Sequence, residues 1–144
     1  MRELKVHFRL DVDDGFPPIR VESLNAQEEP NGLARLDNTP FFAEGVALGD
    51  VVACTRGDAG QLEFAEVKSR SGNRALSVIF LRADAIEHVY QYLKSEGCYC
   101  EHGEFGALEM LAICVGKSVN YDRIVAYLSD NELRGVLSFA ELCV

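Results

Sequence analysis

RLDNTPFFAEGVALGDVV, residues 35–52, is the stretch on which the architecture turns. It compresses a polar turn, two adjacent phenylalanines and two glycines between segments that read as strands. Asp37, Asn38 and Pro40 end the strand that closes at Leu36, because short polar side chains compete for backbone hydrogen bonds and proline donates none. Gly45 and Gly49 then re-aim the backbone. Phe41 and Phe42 point to opposite sides of any extended segment, so one can plug a core while the other meets a partner or a second core.

Upstream of this stretch, Leu4, Val6, Phe8 and Leu10 alternate with Lys5, His7 and Arg9, the period of a half-buried strand. Asp11 to Pro18 is a turn. Ile19, Val21 and Ser23 against Arg20, Glu22 and Leu24 give a second strand, and Gln27 to Gly32 a further polar turn with an Asn-Gly pair suited to positive φ. Leu33 to Leu36 enters the central stretch. Downstream, Val46 to Cys54 and Leu62 to Ser69 read as strands around a glycine-flanked loop, Arg56 to Gly60. Five short strands without a helix predict a small β-barrel or a strongly curved sheet over residues 1–74.

The pattern changes after Ser69. Ala75 to Leu81 is a continuous apolar run of strand length. Asp84 and Glu87 form a capping-box pattern before a helix that ends at Gly97, with Ile86, Val89, Tyr90 and Leu93 at helical spacing. Cys98 to His102 and Ala107 to Val115 pair as strands. Asn120 caps a second helix running to Leu133, with Ile124, Val125 and Leu128 on one face, and Val136 to Leu142 is the last strand. Residues 75–144 therefore predict a ferredoxin-like β-α-β-β-α-β unit, and the chain as a whole is α+β.

A chain of 144 residues is long enough for one compact unit or two small subdomains with real cores. No apolar run reaches the roughly 18 residues of a membrane span, and the first twelve residues alternate where a signal peptide would carry an apolar block. The expected location is cytoplasmic. Five cysteines (Cys54, Cys98, Cys100, Cys114, Cys143) lack C-x-x-C spacing and are expected as reduced thiols. The net charge of -9 argues against a nucleic-acid partner, because neutralising phosphates needs clustered Lys and Arg, and it favours a basic protein partner.

Candidate chemistry is sparse. Asp11, Asp13, Asp14 and Gly15 resemble the opening of a calcium loop, but the glycine comes one place early, so a solvated hairpin turn is expected. Cys98, Cys100 and His102 share one strand face, which suits soft metal ligands or a thiol–imidazole pair. Three ligands from one strand seldom enclose an ion, so buried thiols and an edge histidine are the expectation. Lys68, Arg70 and Arg74 could hold an anion, and three charges on a turn are more often solvated. No G-x-S-x-G, H-E-x-x-H or glycine-rich phosphate loop occurs, so no catalytic residue, metal ligand or cofactor is assigned. The candidate binding residues are Asp37, Phe41, Phe42, Glu44 and Asp50, an aromatic pair rimmed by acids of the kind that anchors protein interfaces.

The central stretch, preceded by FPPIRVESLNA and followed by FLRADAIEHVYQYLKSEGC, resembles a bacterial family known as domain of unknown function 4265 over nearly the whole chain. That resemblance implies no activity, cofactor or catalytic residue. The functional expectation is a non-enzymatic cytoplasmic binding protein, by analogy an immunity protein or inhibitor covering a basic toxin. The alternative is a small-ligand-binding or homodimeric regulator that works through the ferredoxin-like half.

Overall fold

The computed structural model describes residues 2–144, with nine strands in two sheets and two α-helices. Strands β1 (Glu3–Arg9), β2 (Val21–Glu29), β3 (Leu33–Leu36), β4 (Val51–Arg56) and β5 (Leu62–Ser69) pair in sequence order. A short parallel pairing, Val6 with Leu62 and His7 with Glu63, joins β5 back to β1 and closes the five strands into a barrel. Its interior holds Val6, Phe8, Leu24, Ala26, Leu36 and Val52, the inward set dictated by strand alternation.

Strand β2 departs from the sequence reading in length and in content. Gln27, Glu28 and Glu29 belong to the strand, paired with Arg35, Ala34 and Leu33, and the turn is only Pro30–Gly32, with Asn31 at φ 66°. The buried face of β2 is Glu22, Leu24 and Ala26, whereas Val21 and Ser23 face outward. A glutamate thus sits in line with the barrel core.

The second correction concerns residues 37–50, which are irregular; strand β4 starts only at Val51, although the predicted strand began at Val46. Val46 and Ala47 are fully buried nonetheless, and Ala43 and Val46 pack into the barrel cluster. The backbone turns here because Asp50 N–H donates to the Ala47 carbonyl at 3.1 Å while Ala47 N–H donates to the Asp50 carboxylate at 3.0 Å, a local pattern incompatible with a ladder.

The remaining elements are β6 (Arg74–Phe80), α1 (Ile86–Ser95), β7 (Tyr99–Phe105), β8 (Leu108–Val115), α2 (Tyr121–Leu133) and β9 (Leu137–Cys143). The four strands form an antiparallel sheet in the order β7-β8-β6-β9. Val89 and Leu93 of α1 and Ile124 and Leu128 of α2 bury themselves against Leu76, Val78, Leu111 and Ile113, so both helices cover one face. Tyr92 and Tyr127 stack at 3.7 Å between the helices.

Asn120 caps α2 as its sequence suggests, accepting from Arg123 N–H at 3.1 Å. The capping box at α1 does not form. Asp84 lies in a preceding 3-10 turn, Ala83–Ala85, and its carboxylate takes Arg82 at 3.0 Å, leaving α1 without a side-chain cap. The face of the sheet opposite the helices turns toward the barrel.

Candidate functional site

Residues 37–50 lie between the barrel and that sheet face, and three carboxylates hold them there. Glu22, only 5% exposed, accepts backbone N–H groups from Phe41 at 2.7 Å, Phe42 at 3.0 Å and Ala43 at 2.8 Å. Glu101 of β7 accepts from Thr39 N–H at 3.1 Å and from the Asn38 amide at 3.3 Å. Asp50, 1% exposed, accepts from Ala47 N–H and, at 2.8 Å, from Ser71 N–H, with the Arg70 guanidinium at 3.6 Å. Backbone donors in a segment without a ladder must find acceptors, and buried carboxylates need donors. Here each solves the other's problem.

So anchored, Phe41 and Phe42 meet Phe105 edge-on at 5.1 and 5.0 Å, and Phe42 also meets Phe16 at 5.8 Å. Gly103 is required beneath them, since a Cβ at this position would lie 2.7 Å from the Phe41 ring. Gly45 N–H donates to the Leu142 carbonyl at 2.9 Å, tying the far end of the loop to β9.

The loop packs on β7 and reaches β9 only at Leu142, leaving Ser77, Ile79, Met110, Ser138 and Ala140 of the same sheet face uncovered by it. The result is a cleft of about 670 Å³ between the barrel and the sheet. Its walls include Phe8, Phe16, Phe42 and Phe64, with Ile79 and Met110 on the sheet side. The floor is low because Ser77 pairs with Ala112 on one side and Ala140 on the other, a row of small side chains across three strands. Ser77 is 4% exposed, lines the cleft, and its hydroxyl has no hydrogen-bond partner among the described residues. At the rim stand Arg9, ion-paired to Glu63 at 2.9 Å, and Asp11 and Glu44, which have no ion-pair partner among the described residues.

The five predicted binding residues are divided by this geometry. Phe42 is buried and Phe41 half-buried, both in the junction; Glu44 reaches the cleft rim. Asp50 is enclosed and holds backbone, so it presents no contact surface. Asp37 is exposed, with its carboxylate 3.4 Å from the Gln27 amide, and does not line the cleft. Glu22 and Ser77 were missed. Phase could have found both: Glu22 alternates in step with Leu24 and Ala26, and Ser77 stands out of phase with Leu76 and Val78.

The remaining candidates lie elsewhere. The Asp11–Gly15 segment is a tight hairpin tip, Asp13 and Phe16 exchanging backbone hydrogen bonds at 2.9 and 3.1 Å. Burial pushes the Cys98 thiol up from 9.0 to about 11, with Cys114 and Glu96 adding to it, and the Cys100 thiol up to about 12, so neither is a ready nucleophile. Cys100 packs on the helix-side core, while His102 donates or accepts at 2.7 Å with Glu109; Glu104 joins that exposed pair in place of the two thiols. Lys68, Arg70 and Arg74 do not converge: they engage Glu66, Asp50 and the Tyr121 ring respectively. No helix among the described residues is long and apolar enough to cross a membrane.

These features define an α+β protein in which a closed five-stranded barrel and a helix-backed sheet enclose an aromatic cleft. The family model described as a domain of unknown function (DUF4265) matches residues 22–139, and the chain belongs to that family. A hypothetical protein from Neisseria gonorrhoeae, known from a crystal structure, is similar in fold: the TM-score is 0.81 over 99% of this chain and 96% of that one, at 21% identity. No curated protein matches.

Proposed function

We propose that this is a non-enzymatic small-ligand-binding protein whose site is the cleft between barrel and sheet. The observation that carries the reading is the cleft itself, about 670 Å³ with Phe8, Phe16, Phe42 and Phe64 on its walls and only a few polar side chains, Ser77 and Ser138 among them, in its lining. Small-molecule sites are concave and mostly apolar, with few polar groups that fix orientation, and run to roughly 300–1,000 Å³. The order β7-β8-β6-β9 with both helices on one face supports reading residues 75–144 as a ferredoxin-like unit, whose helix-free face is the natural surface for a ligand.

A fragment screen followed by amide-resolved NMR tests this. Bound fragments should move the signals of Leu10, Phe42, Ser77 and Ile79 together. Hits that cluster on α1 and α2, or a screen of several hundred aromatic fragments with no hit, would overturn it.

The immunity-protein reading stands second. It rests on the net charge of -9, which favours fast association with a basic partner. Of its proposed anchors, Phe42 and Asp50 are committed to holding the junction, so a salt-sensitive pull-down of a basic toxin would have to map to Asp37 and Glu44.

A further inference from the structure

The chemistry of the cleft narrows the class of its occupant, given the small-ligand reading above. We infer that the cleft takes an organic amine cation: an aromatic body held among the phenylalanines, with its ammonium group at the acidic rim. Three carboxylates, Asp11, Glu44 and Glu63, stand at the opening against one guanidinium, Arg9, and that guanidinium is already spent on Glu63. His7, also in the lining, is held through Nδ1 by the Ser23 hydroxyl at 2.7 Å. Asp11 and Glu44 therefore carry no ion pair among the described residues, on a molecule already at -9, although the Arg70 guanidinium donates to the Gly45 carbonyl beside Glu44 at 2.9 Å. A cleft with low-dielectric walls focuses such a field and raises the local concentration of cations.

The walls point the same way. Phe8 and Phe64 stack at 4.8 Å along one side, and Phe42 crosses Phe16 near a right angle on another. Aromatic faces carry negative quadrupole charge and attract cations, most strongly where water is thinned out. An anion would meet both the rim carboxylates and the ring faces unfavourably. At the floor the polar groups are few, the Ser77 side chain and, on the neighbouring strand opposite Ile79, Ser138, so the buried end of the ligand is mostly apolar.

Three probes of matched shape test the inference on the full chain: 1-naphthylmethylammonium, 1-naphthylmethanol and 1-naphthoate, titrated with detection by amide NMR. The ammonium should bind about fivefold tighter than the alcohol at low salt, the carboxylate should bind weakest, and the gap should shrink at about 300 mM salt. In an Asp11→Asn, Glu44→Gln double variant, both sites being exposed, the ammonium should fall to the affinity of the alcohol while the alcohol is unchanged. Equal affinity for all three probes, with shifts at Ser77 and Ile79, would overturn the cation preference and leave the ligand-binding cleft standing. Binding of none of them, under conditions where the chain is folded, would overturn the preference and count against the cleft itself.

Discussion

Replacing Glu22 is the most informative single change to the scaffold. Its carboxylate receives three backbone N–H groups from consecutive residues, Phe41, Phe42 and Ala43, at 2.7, 3.0 and 2.8 Å. Glu22→Ala strands all three donors. A stranded buried donor costs about 1–3 kcal/mol, and Phe41 is only half-buried, so its N–H can recruit water; the expected loss is about 3–5 kcal/mol. Glu22→Gln is milder. Its remaining carbonyl oxygen can still serve Phe42 and Ala43, which share Oε1, but the new amide NH₂ faces the Phe41 N–H, donor against donor. About 1.5–3 kcal/mol is expected there. With a urea m-value of about 2 kcal/mol/M, the alanine variant should lose about 1.5–2.5 M in its unfolding midpoint. The chain contains five tyrosines and no tryptophan, so far-UV circular dichroism and tyrosine fluorescence are the two probes to compare. A Glu22→Ala variant within about 1 kcal/mol of the parent, at unchanged m, would refute the idea that this carboxylate organises the loop.

Asp50→Asn should destabilise by about 2–3 kcal/mol, read as a fall in Tm of about 5–10 °C, because Ala47 and Ser71 N–H and the Arg70 guanidinium all converge on a carboxylate that is 1% exposed. Gly103→Ala should cost about 1–3 kcal/mol and shift the Phe41 and Phe105 ring resonances, since the new Cβ would lie 2.7 and 3.0 Å from those rings. For the thiols the sign follows from burial: Cys98 and Cys114 are pushed up to about 11 and Cys100 to about 12, so the folded state holds protons that the unfolded chain releases near 9. Their contribution is intact below about pH 9 and is lost as pH rises toward 11–12; Tm measured from pH 8 to 11 should fall less steeply in Cys98→Ala and Cys100→Ala variants. The same burial should make Cys100 resist alkylation by iodoacetamide at pH 8 until urea is added.

Much of the fold is legible in local patterns. Strand β1 alternates as written, Val6 and Phe8 inward, and α2 begins at the asparagine that caps it. These elements follow from period and cap chemistry, which are local. Where the reading strays, a distant group has intervened. Asp84 and Glu87 have the spacing of a capping box, yet Arg82 claims Asp84 and the helix starts uncapped. Residues 46–50 carry strand-like apolar content, but Asp50 curls the backbone onto itself and sends its other oxygen to Ser71. The polar tail of β2 is held in the ladder by β3 rather than by its own propensity.

The site was only half visible. The importance of Phe41 and Phe42 could be read from composition, but not that both would be turned into the junction by a glutamate nineteen and twenty residues upstream. Ser77 looked like one residue in an apolar run. Its meaning comes from Ala112 and Ala140 on either side, a hollow that exists only once three strands are laid next to one another.

The most direct test is where a ligand sits. With methyl-labelled Ile and Met in the full chain and 1-naphthylmethylammonium bound, intermolecular NOEs should run from the naphthalene protons to the Ile79 and Met110 methyls on the wall of the cleft. NOEs confined to Ile86, Ile124 or other helix-side groups would place the ligand outside the cleft and contradict the account.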